Sequence, residues 1–288
     1  SGTSTLGANT TLNNTGGFFM GAAANAHNLS VTGSFTTNAT GTAKLNGGVT
    51  TTTTQTYSGA VELIGDTTFT TTNSAVTFSS TVNGTTANTE SITVAAGSGN
   101  TTFTGAVGGT TSLKNVSVTA AALTAAAIKA DTGITITNSA ASTISGIISG
   151  NASLTKAGAS TLTLSGVNTY SGVTNVNAGT LILANTSGTT IADSNVMTVA
   201  SGATLDLRFS ETIGSITDAG TITTGNAGSK TLTVGGLNSD TTFSGVIQNG
   251  SGTLALTKTG TGSLVLTGSN TYSGATTIDA SNYTVSST

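Results

Sequence analysis

A 23-residue stretch of the sequence, LTKAGASTLTLSGVNTYSGVTNV, occupies 154–176 and returns as LTKTGTGSLVLTGSNTYSGATTI at 256–278, at a constant offset of 102 residues. Upstream of each copy, STISGIISG at 142–150 matches TTFSGVIQNG at 241–250 once a short insertion is allowed. The clearest repeat units are therefore 142–185 and 241–280. Repetition of this kind indicates stacked supersecondary units, because like residues then lie on like residues.

An aromatic residue followed by small residues recurs along the rest of the chain. It stands at Tyr57, Phe78, Phe103, Tyr170, Phe243 and Tyr272, with weaker copies at Phe35 and Ile144. Most steps between copies are about 20–29 residues, and the two longer gaps divide into steps of similar size. One such step fits one coil of a solenoid.

Short alternating stretches lie between these marks, such as TLTLS at 161–165 and TLILA at 180–184. Alternation places Leu and Ile on one side and Thr or Ser on the other, which is typical of a strand with one buried face. The chain has no proline, as expected where every strand needs its N–H groups for its neighbours. The Ala-rich stretch at 119–130 could form an amphipathic helix or two Ala-lined strands, and we favour the strands.

These patterns predict an all-β protein, a right-handed parallel β-helix of roughly a dozen coils of about 20–29 residues. We expect residues 1–288 to form one continuous segment of it.

Composition narrows the function. Only 17 residues are charged, whereas Thr supplies 68 positions and Gly 39, so hydroxyls and amides solvate the surface. The net charge of −3 includes no basic cluster, which argues against nucleic acid as a partner.

Absence of cysteine excludes disulfides and thiolate metal sites, and we expect no cofactor. No apolar run reaches transmembrane length and no signal peptide is evident, so we expect no membrane insertion by this segment, with targeting and anchoring parts outside it.

The unit at 154–185 resembles the autotransporter-associated β-strand repeat, also called the passenger-associated transport repeat. Its matching residues are Leu162, Leu164, Gly166, Asn168, Thr169, Tyr170, Ser171, Gly172, Thr174, Gly179, Thr180 and Leu181. The second copy retains Leu264, Leu266, Gly268, Asn270, Thr271, Tyr272, Ser273, Gly274 and Thr276, then departs, reading DASNYTV where the first reads NAGTLIL. The resemblance implies a secreted passenger whose parallel β-helix projects from the outer membrane of a Gram-negative bacterium.

Catalytic and metal-binding patterns are weak. The sole histidine, His27, has neither a nucleophile elbow nor an orienting acid in its neighbourhood of the sequence. The acids are scattered: Glu62, Asp66, Glu90, Asp131, Asp193, Asp206, Glu211, Asp218, Asp240 and Asp279. Stacking of coils could place Asp218 and Asp240 together, although we expect both to be solvent-facing turn residues. No calcium-binding nonapeptide array is present, which leaves isolated Ca²⁺ at turn acids as a minor alternative.

Threonine pairs raise one further hypothesis, since a flat face of regularly spaced hydroxyls can bind ice. The segments concerned are ITIT at 134–137, TLTLS at 161–165, TLTV at 231–234 and TTTTTQT at 50–56. Such a face needs Thr at the same place in nearly every coil. Because coil length varies and Thr appears on many sides, we expect no regular face.

The leading functional hypothesis is an extracellular, non-catalytic structural or adhesive rod, such as a stalk, fibre or surface-layer component. Its partner would be a host-cell, surface or glycan ligand. One alternative is a self-assembling filament subunit that associates end to end or laterally. Another is a polysaccharide lyase or hydrolase, for which Asp206 and Arg208 are the residues to test.

Overall fold

The computed structural model describes residues 2–13, 17–22, 25–38 and 41–279. Within these ranges the chain is all-β, and no helix long and apolar enough to cross a membrane occurs. The strands stack in parallel as a β-solenoid of about 13 coils over the same ranges, which confirms the predicted fold class. The chain divides into two compact units, Ser1–Ala152 (unit 1) and Ser153–Thr288 (unit 2). The right-handed sense and the single continuous segment stay predictions.

Unit 1 contains the first seventeen strands found in the described residues. They are β1 (Gly2–Leu6), β2 (Thr10–Leu12), β3 (Phe18–Met20), β4 (His27–Val31), β5 (Phe35–Thr37), β6 (Ala43–Thr51), β7 (Gln55–Tyr57), β8 (Val61–Thr71), β9 (Val76–Phe78), β10 (Val82–Gly84), β11 (Ile92–Ala95), β12 (Thr101–Phe103), β13 (Leu113–Ala120), β14 (Leu123–Ala125), β15 (Ile128–Asn138), β16 (Ser142–Ile144) and β17 (Ile148–Ser149).

Three sides of the unit 1 coil carry these strands. Sheet I has the order β1-β4-β6-β8-β11-β13-β15, and sheet II has the order β2-β5-β7-β9-β12-β14-β16. On the third side β3 pairs with the start of β6, β10 with the start of β8, and β17 with the start of β15. The long strands β6, β8 and β15 therefore each serve two sides. All of these pairings are parallel, so each coil completes a turn before it meets its equivalent strand.

The fifteen strands of unit 2 follow the same plan among the described residues. They are β18 (Ser153–Lys156), β19 (Thr161–Leu164), β20 (Thr174–Val176), β21 (Thr180–Leu183), β22 (Val196–Val199), β23 (Thr204–Leu207), β24 (Glu211–Ile213), β25 (Ser215–Thr217), β26 (Thr221–Thr223), β27 (Ser229–Val234), β28 (Thr241–Phe243), β29 (Val246–Ile247), β30 (Thr253–Lys258), β31 (Leu264–Leu266) and β32 (Thr276–Ile278). Their sheets run β18-β20-β22-β25, β19-β21-β23-β26-β29, β24-β27-β30-β32 and β28-β31.

Ladders of hydrophobic residues fill the interior, because alternate residues of each strand point inward and the coils are in register. In unit 1 one ladder lies on sheet I and is fully or almost fully buried: Leu29, Val49, Phe69, Val94, Val118 and Ile136. In unit 2 a ladder on the sheet that begins with β19 is also buried: Leu162, Leu181, Leu205, Ile222 and Ile247. The steps along these ladders are 17–25 residues; most lie within the predicted 20–29, and a few are shorter.

The aromatic marks of unit 1 form a stack on sheet II. Tyr57 lies beside Phe78 with ring centroids 5.0 Å apart, and Phe78 beside Phe103 at 4.9 Å, each pair with an interplanar angle of 10°. Ile144 lies further along the same ladder, beyond an alanine. Phe35 does not belong to it, because the register pairs Phe35 with Gln55. The weaker copy at Phe35 is therefore two residues out of step.

Strands, not a helix, occupy the Ala-rich stretch at 119–130. It spans the end of β13, all of β14 and the start of β15. Ala120, Ala125 and Ala130 are buried, so small side chains fill the core there. The preference for Ala-lined strands is confirmed, with three strand segments in place of two.

Candidate functional site

The two copies of the NTYSG motif have the same internal contacts. Tyr170 Oη lies 2.6 Å from Thr174 Oγ1, and Tyr272 Oη lies 2.7 Å from Thr276 Oγ1. The amide of Asn168 donates to the carbonyl of Gly166, two residues back, over 3.1 Å. In the second copy the amide of Asn270 reaches Gly268 in the same way over 3.0 Å, while its carbonyl accepts the N–H of Ile247 at 2.8 Å. The motif thus forms a turn between two strands that is stabilised by hydrogen bonds within the motif.

Glycine follows the strand in these repeats because backbones approach closely there. A Cβ on Gly268 would lie 1.8 Å from the carbonyl oxygen of Gly245, and one on Gly245 would lie 1.9 Å from that of Gly220. Gly274 is similarly confined, since its Cβ would lie 2.4 Å from the carbonyl oxygen of Leu254. Gly172, the equivalent residue of the first copy, accepts a 2.8 Å hydrogen bond at its carbonyl from Asn195 of the next coil.

Tyr170 and Tyr272 lie outside the strands, unlike the aromatic residues of unit 1. Phe243 lies inside β28 and pairs with Leu266, which precedes Tyr272 by six residues. The predicted equivalence of Phe243 and Tyr272 is therefore wrong, and the 29-residue step between them is not a coil. In the second copy, residues 280–288, including most of DASNYTV, lie outside the described residues.

A lysine of the repeat, which the sequence analysis did not single out, is also shared by both copies. Lys156 is fully buried and donates to the carbonyls of Gly158 and Ala178, the latter at 3.1 Å. Lys258, at the same place in the second copy, donates to the carbonyls of Thr259 and Gly260, the latter at 3.0 Å. Burial lowers the pKa of Lys156 from 10.5 to about 8. The sequence LTK, followed two residues later by Gly in both copies, was the signal by which this lysine could have been found.

Several of the acids that were candidates for chemistry bind backbone N–H groups of the next coil. Asp66 accepts from Ser91 at 2.8 Å, and Asp206 accepts from Gly225 at 2.6 Å. Asp240 accepts from the N–H and the hydroxyl of Ser263, and these bonds hold its pKa below the usual value. Asparagines make the same contact; the acceptors are Asn9, Asn28, Asn73, Asn83, Asn100 and Asn238. These side chains hold adjacent coils together.

Asp218 and Asp240 are not stacked. The register places Phe243 beside Asp218, three residues beyond Asp240. The described residues contain no group of three or more His, Asp or Glu side chains able to share a metal ion.

Asp206 and Arg208, the pair named for the enzyme alternative, are in direct contact. The guanidinium donates to one carboxylate oxygen of Asp206 over 2.9 and 3.0 Å, while the other oxygen accepts the N–H of Gly225. Asn226 closes the cluster by donating to the carbonyl of Arg208 at 2.9 Å. Both carboxylate oxygens are therefore engaged, and this arrangement favours a structural ion pair over a general acid or base.

Glu211 is a second buried carboxylate, on β24. Its two oxygens accept the backbone N–H groups of Thr190 and Ile191 at 3.0 and 3.1 Å. Burial raises the pKa of Glu211 from 4.5 to about 7, and its two backbone hydrogen bonds only partly oppose that rise. Burial also raises the pKa of Tyr170, and the negative charge of Glu211 adds to that rise.

His27 contacts Ser4, with Nε2 3.0 Å from the hydroxyl oxygen. Both lie beside an apolar hollow that Leu6, Leu12 and Phe18 also line. Within the part of the chain that the structure describes, no carboxylate hydrogen-bonds the other ring nitrogen. The pair therefore lacks the orienting acid of a catalytic triad.

Comparison with known families gives one match, and it falls on the segments described above. The model of the passenger-associated transport repeat matches residues 154–183 and 256–280. No curated protein and no solved structure matches the chain. The chain therefore carries two segments that match the passenger-associated transport repeat, which is consistent with a passenger built of repeats.

Proposed function

We propose that the chain is a non-catalytic structural segment of an extracellular rod, built as the passenger of an autotransporter. The repeat family implies secretion to the cell surface and suggests a structural role. The observation that carries the proposal is the use of the charged side chains. Asp66, Asp206 and Asp240 accept hydrogen bonds from the next coil, and Lys156 donates to turn carbonyls. These charged groups therefore stabilise the stacked coils.

Protease treatment of intact source cells tests the location. We expect the chain to be degraded while a cytoplasmic marker stays intact, because a passenger lies outside the outer membrane. Survival of the chain until the cells are lysed would contradict the proposal.

The absence of catalysis is tested on the purified full chain with neutral and uronate-containing polysaccharides. We expect no turnover, and no change on Asp206→Asn. The matched control is Asp193→Asn, which alters an exposed carboxylate of the same unit. Turnover that is lost in Asp206→Asn and kept in Asp193→Asn would establish an enzyme.

An adhesive role is favoured by the surroundings of Phe209. The ring stands between two shallow hollows, one lined by Arg208 and Asn226 and the other by Ser187 and Lys230. Lys230 donates to the carbonyl of Ala227 at 2.8 Å and has no carboxylate partner in the described residues. An aromatic face flanked by cations, amides and hydroxyls suits a sugar ring that carries an acidic group.

Binding to immobilised oligosaccharides tests this role. We expect the chain to bind uronate-bearing oligosaccharides over neutral ones, and Phe209→Ala to weaken binding about fivefold, since a ring contact contributes about 1 kcal/mol. Phe19→Ala, which removes an exposed ring of unit 1, is the control and should bind as the unaltered chain does. Equal binding by all three proteins would exclude Phe209 as the contact.

A further inference from the structure

Sheet I of unit 1 carries a two-dimensional pattern of hydroxyl groups on its outer face. Along β8, β11, β13 and β15 two outward positions, separated by one buried residue, are in register from coil to coil. The first row is Thr68, Thr93, Ser117 and Thr135, and the second row is Thr70, Ala95, Thr119 and Thr137. We call these eight positions the hydroxyl array. Seven of them carry a hydroxyl, and the second row extends through Thr50 and Ser30 to Thr5.

This regularity corrects the expectation that variable coil length would scatter the threonines. The steps from Phe69 to Val94, Val118 and Ile136 are 25, 24 and 18 residues, yet the outward residues beside them stay aligned. Turns absorb the differences in length, because the strands must keep their register to satisfy their backbone hydrogen bonds.

The hydroxyls of the array are unbonded to protein, unlike those of two buried threonines on the same strand, β8. Thr67 and Thr71, which are buried, donate to backbone carbonyls. In the part of the chain that the structure describes, none of the seven array hydroxyls has a hydrogen-bond partner, and all seven residues are exposed or half-exposed. Their hydrogen-bonding capacity is therefore directed to water.

The hydroxyls of the array are regularly spaced, and their side chains are stiff. Adjacent strands of a sheet lie about 4.8 Å apart, and alternate residues of a strand lie about 6.6 Å apart. The branched side chain of threonine has few accessible rotamers, so its hydroxyl and methyl group are held in place. None of the eight positions carries a charged or long side chain that would interrupt the plane. Waters bound between the hydroxyls would therefore be held at regular intervals in both directions.

We propose that the hydroxyl array binds ice, with ordered surface water as its ligand. Many weak contacts to water add up across the array. Because the sheet already fixes the hydroxyls, the entropic cost of ordering water between the protein and the ice is small. This function is separate from the proposed structural role of the chain and does not depend on it.

Sheet II supplies an internal control. Its three-residue strands present one outward row, Thr36, Thr56, Thr77, Thr102, Thr124 and Thr143, and no second row. This single row resembles one row of the array in composition, but it has no parallel row of hydroxyls beside it. Thr102 matches Thr93 in being outward, half-exposed and on an interior strand of its sheet.

The experiment measures thermal hysteresis and incorporation of the full chain into a slowly growing ice surface. We expect the unaltered chain to enter the ice and to show hysteresis. Thr93→Lys, which places a long charged side chain in the centre of the array, should reduce hysteresis at least tenfold, and Thr102→Lys should leave it unchanged. Circular dichroism checks that both variants are folded. Exclusion of the unaltered chain from ice, or equal loss in the two variants, would overturn the proposal and leave the threonines a solubilising role only.

Discussion

Replacing Phe78 by alanine is expected to lower the free energy of unfolding of unit 1 by about 3–5 kcal/mol. The side chain is almost fully buried and its ring contacts three others. It stacks on Tyr57 and Phe103 and meets Phe69 edge to face, with centroids 4.9 Å apart in that last pair. Removal leaves a cavity between adjacent coils that the strands on either side cannot close, because their backbone register fixes their separation.

Urea unfolding followed by circular dichroism measures this loss. Phe19→Ala is the control, since Phe19 is 68% exposed and packs only loosely over Lys44, with the ammonium 5.7 Å from the ring centroid. It should cost less than about 1 kcal/mol. Equal losses in the two variants would show that the aromatic stack does not stabilise the core.

Raising the pH from 4.5 to 7 is expected to destabilise unit 2 through Glu211. The folded chain holds this proton more tightly than the unfolded chain does, because the pKa of Glu211 is raised from 4.5 to about 7 by burial. Below pH 4.5 the group is protonated in both states and its contribution is fully favourable. Between 4.5 and 7 the unfolded state ionises first, so stability falls, and above 7 the loss is complete. A shift of this size corresponds to about 3 kcal/mol.

The slope of the urea midpoint against pH is the relevant measurement. Glu211→Gln should remove the decline between pH 4.5 and 7, at some cost at low pH because one backbone N–H of Thr190 or Ile191 loses its acceptor. Asp218→Asn, at an exposed carboxylate of the same unit, should retain the decline. If Glu211→Gln keeps the slope of the unaltered chain, the carboxylate ionises as freely as in water and the assignment is wrong.

Repeated letters allowed the fold class to be predicted, because stacked coils require equivalent residues at equivalent places. Tyr57, Phe78 and Phe103 share a motif and lie on one ladder. The same reasoning failed for Phe243 and Tyr272, since one lies inside a strand and the other in a corner after the strand. Comparison of the sequence segments finds the motif, but it does not distinguish a position inside a strand from one in the turn that follows the strand.

Contacts between coils were harder to predict than the coils themselves. The partner of a side chain is set by the length of the turns between coils, and the sequence does not reveal how that length is distributed. For this reason the array rows through Thr93 and Thr119 could not be recognised, although each threonine was visible. Buried Lys156 was missed because lysine at a strand end ordinarily reaches solvent.

The side-chain bonds from each coil to the next have a consequence for how the chain folds. Asn73 accepts the N–H of Ser98, and Asn83 accepts that of Thr110. Such pairs close loops of 19–27 residues at every level of the stack. The entropy lost in closing a loop depends on its length, so each added coil costs a similar amount however many have formed before it. Within each unit we therefore expect folding to proceed by stepwise addition, with the last completed coil serving as the template for the next.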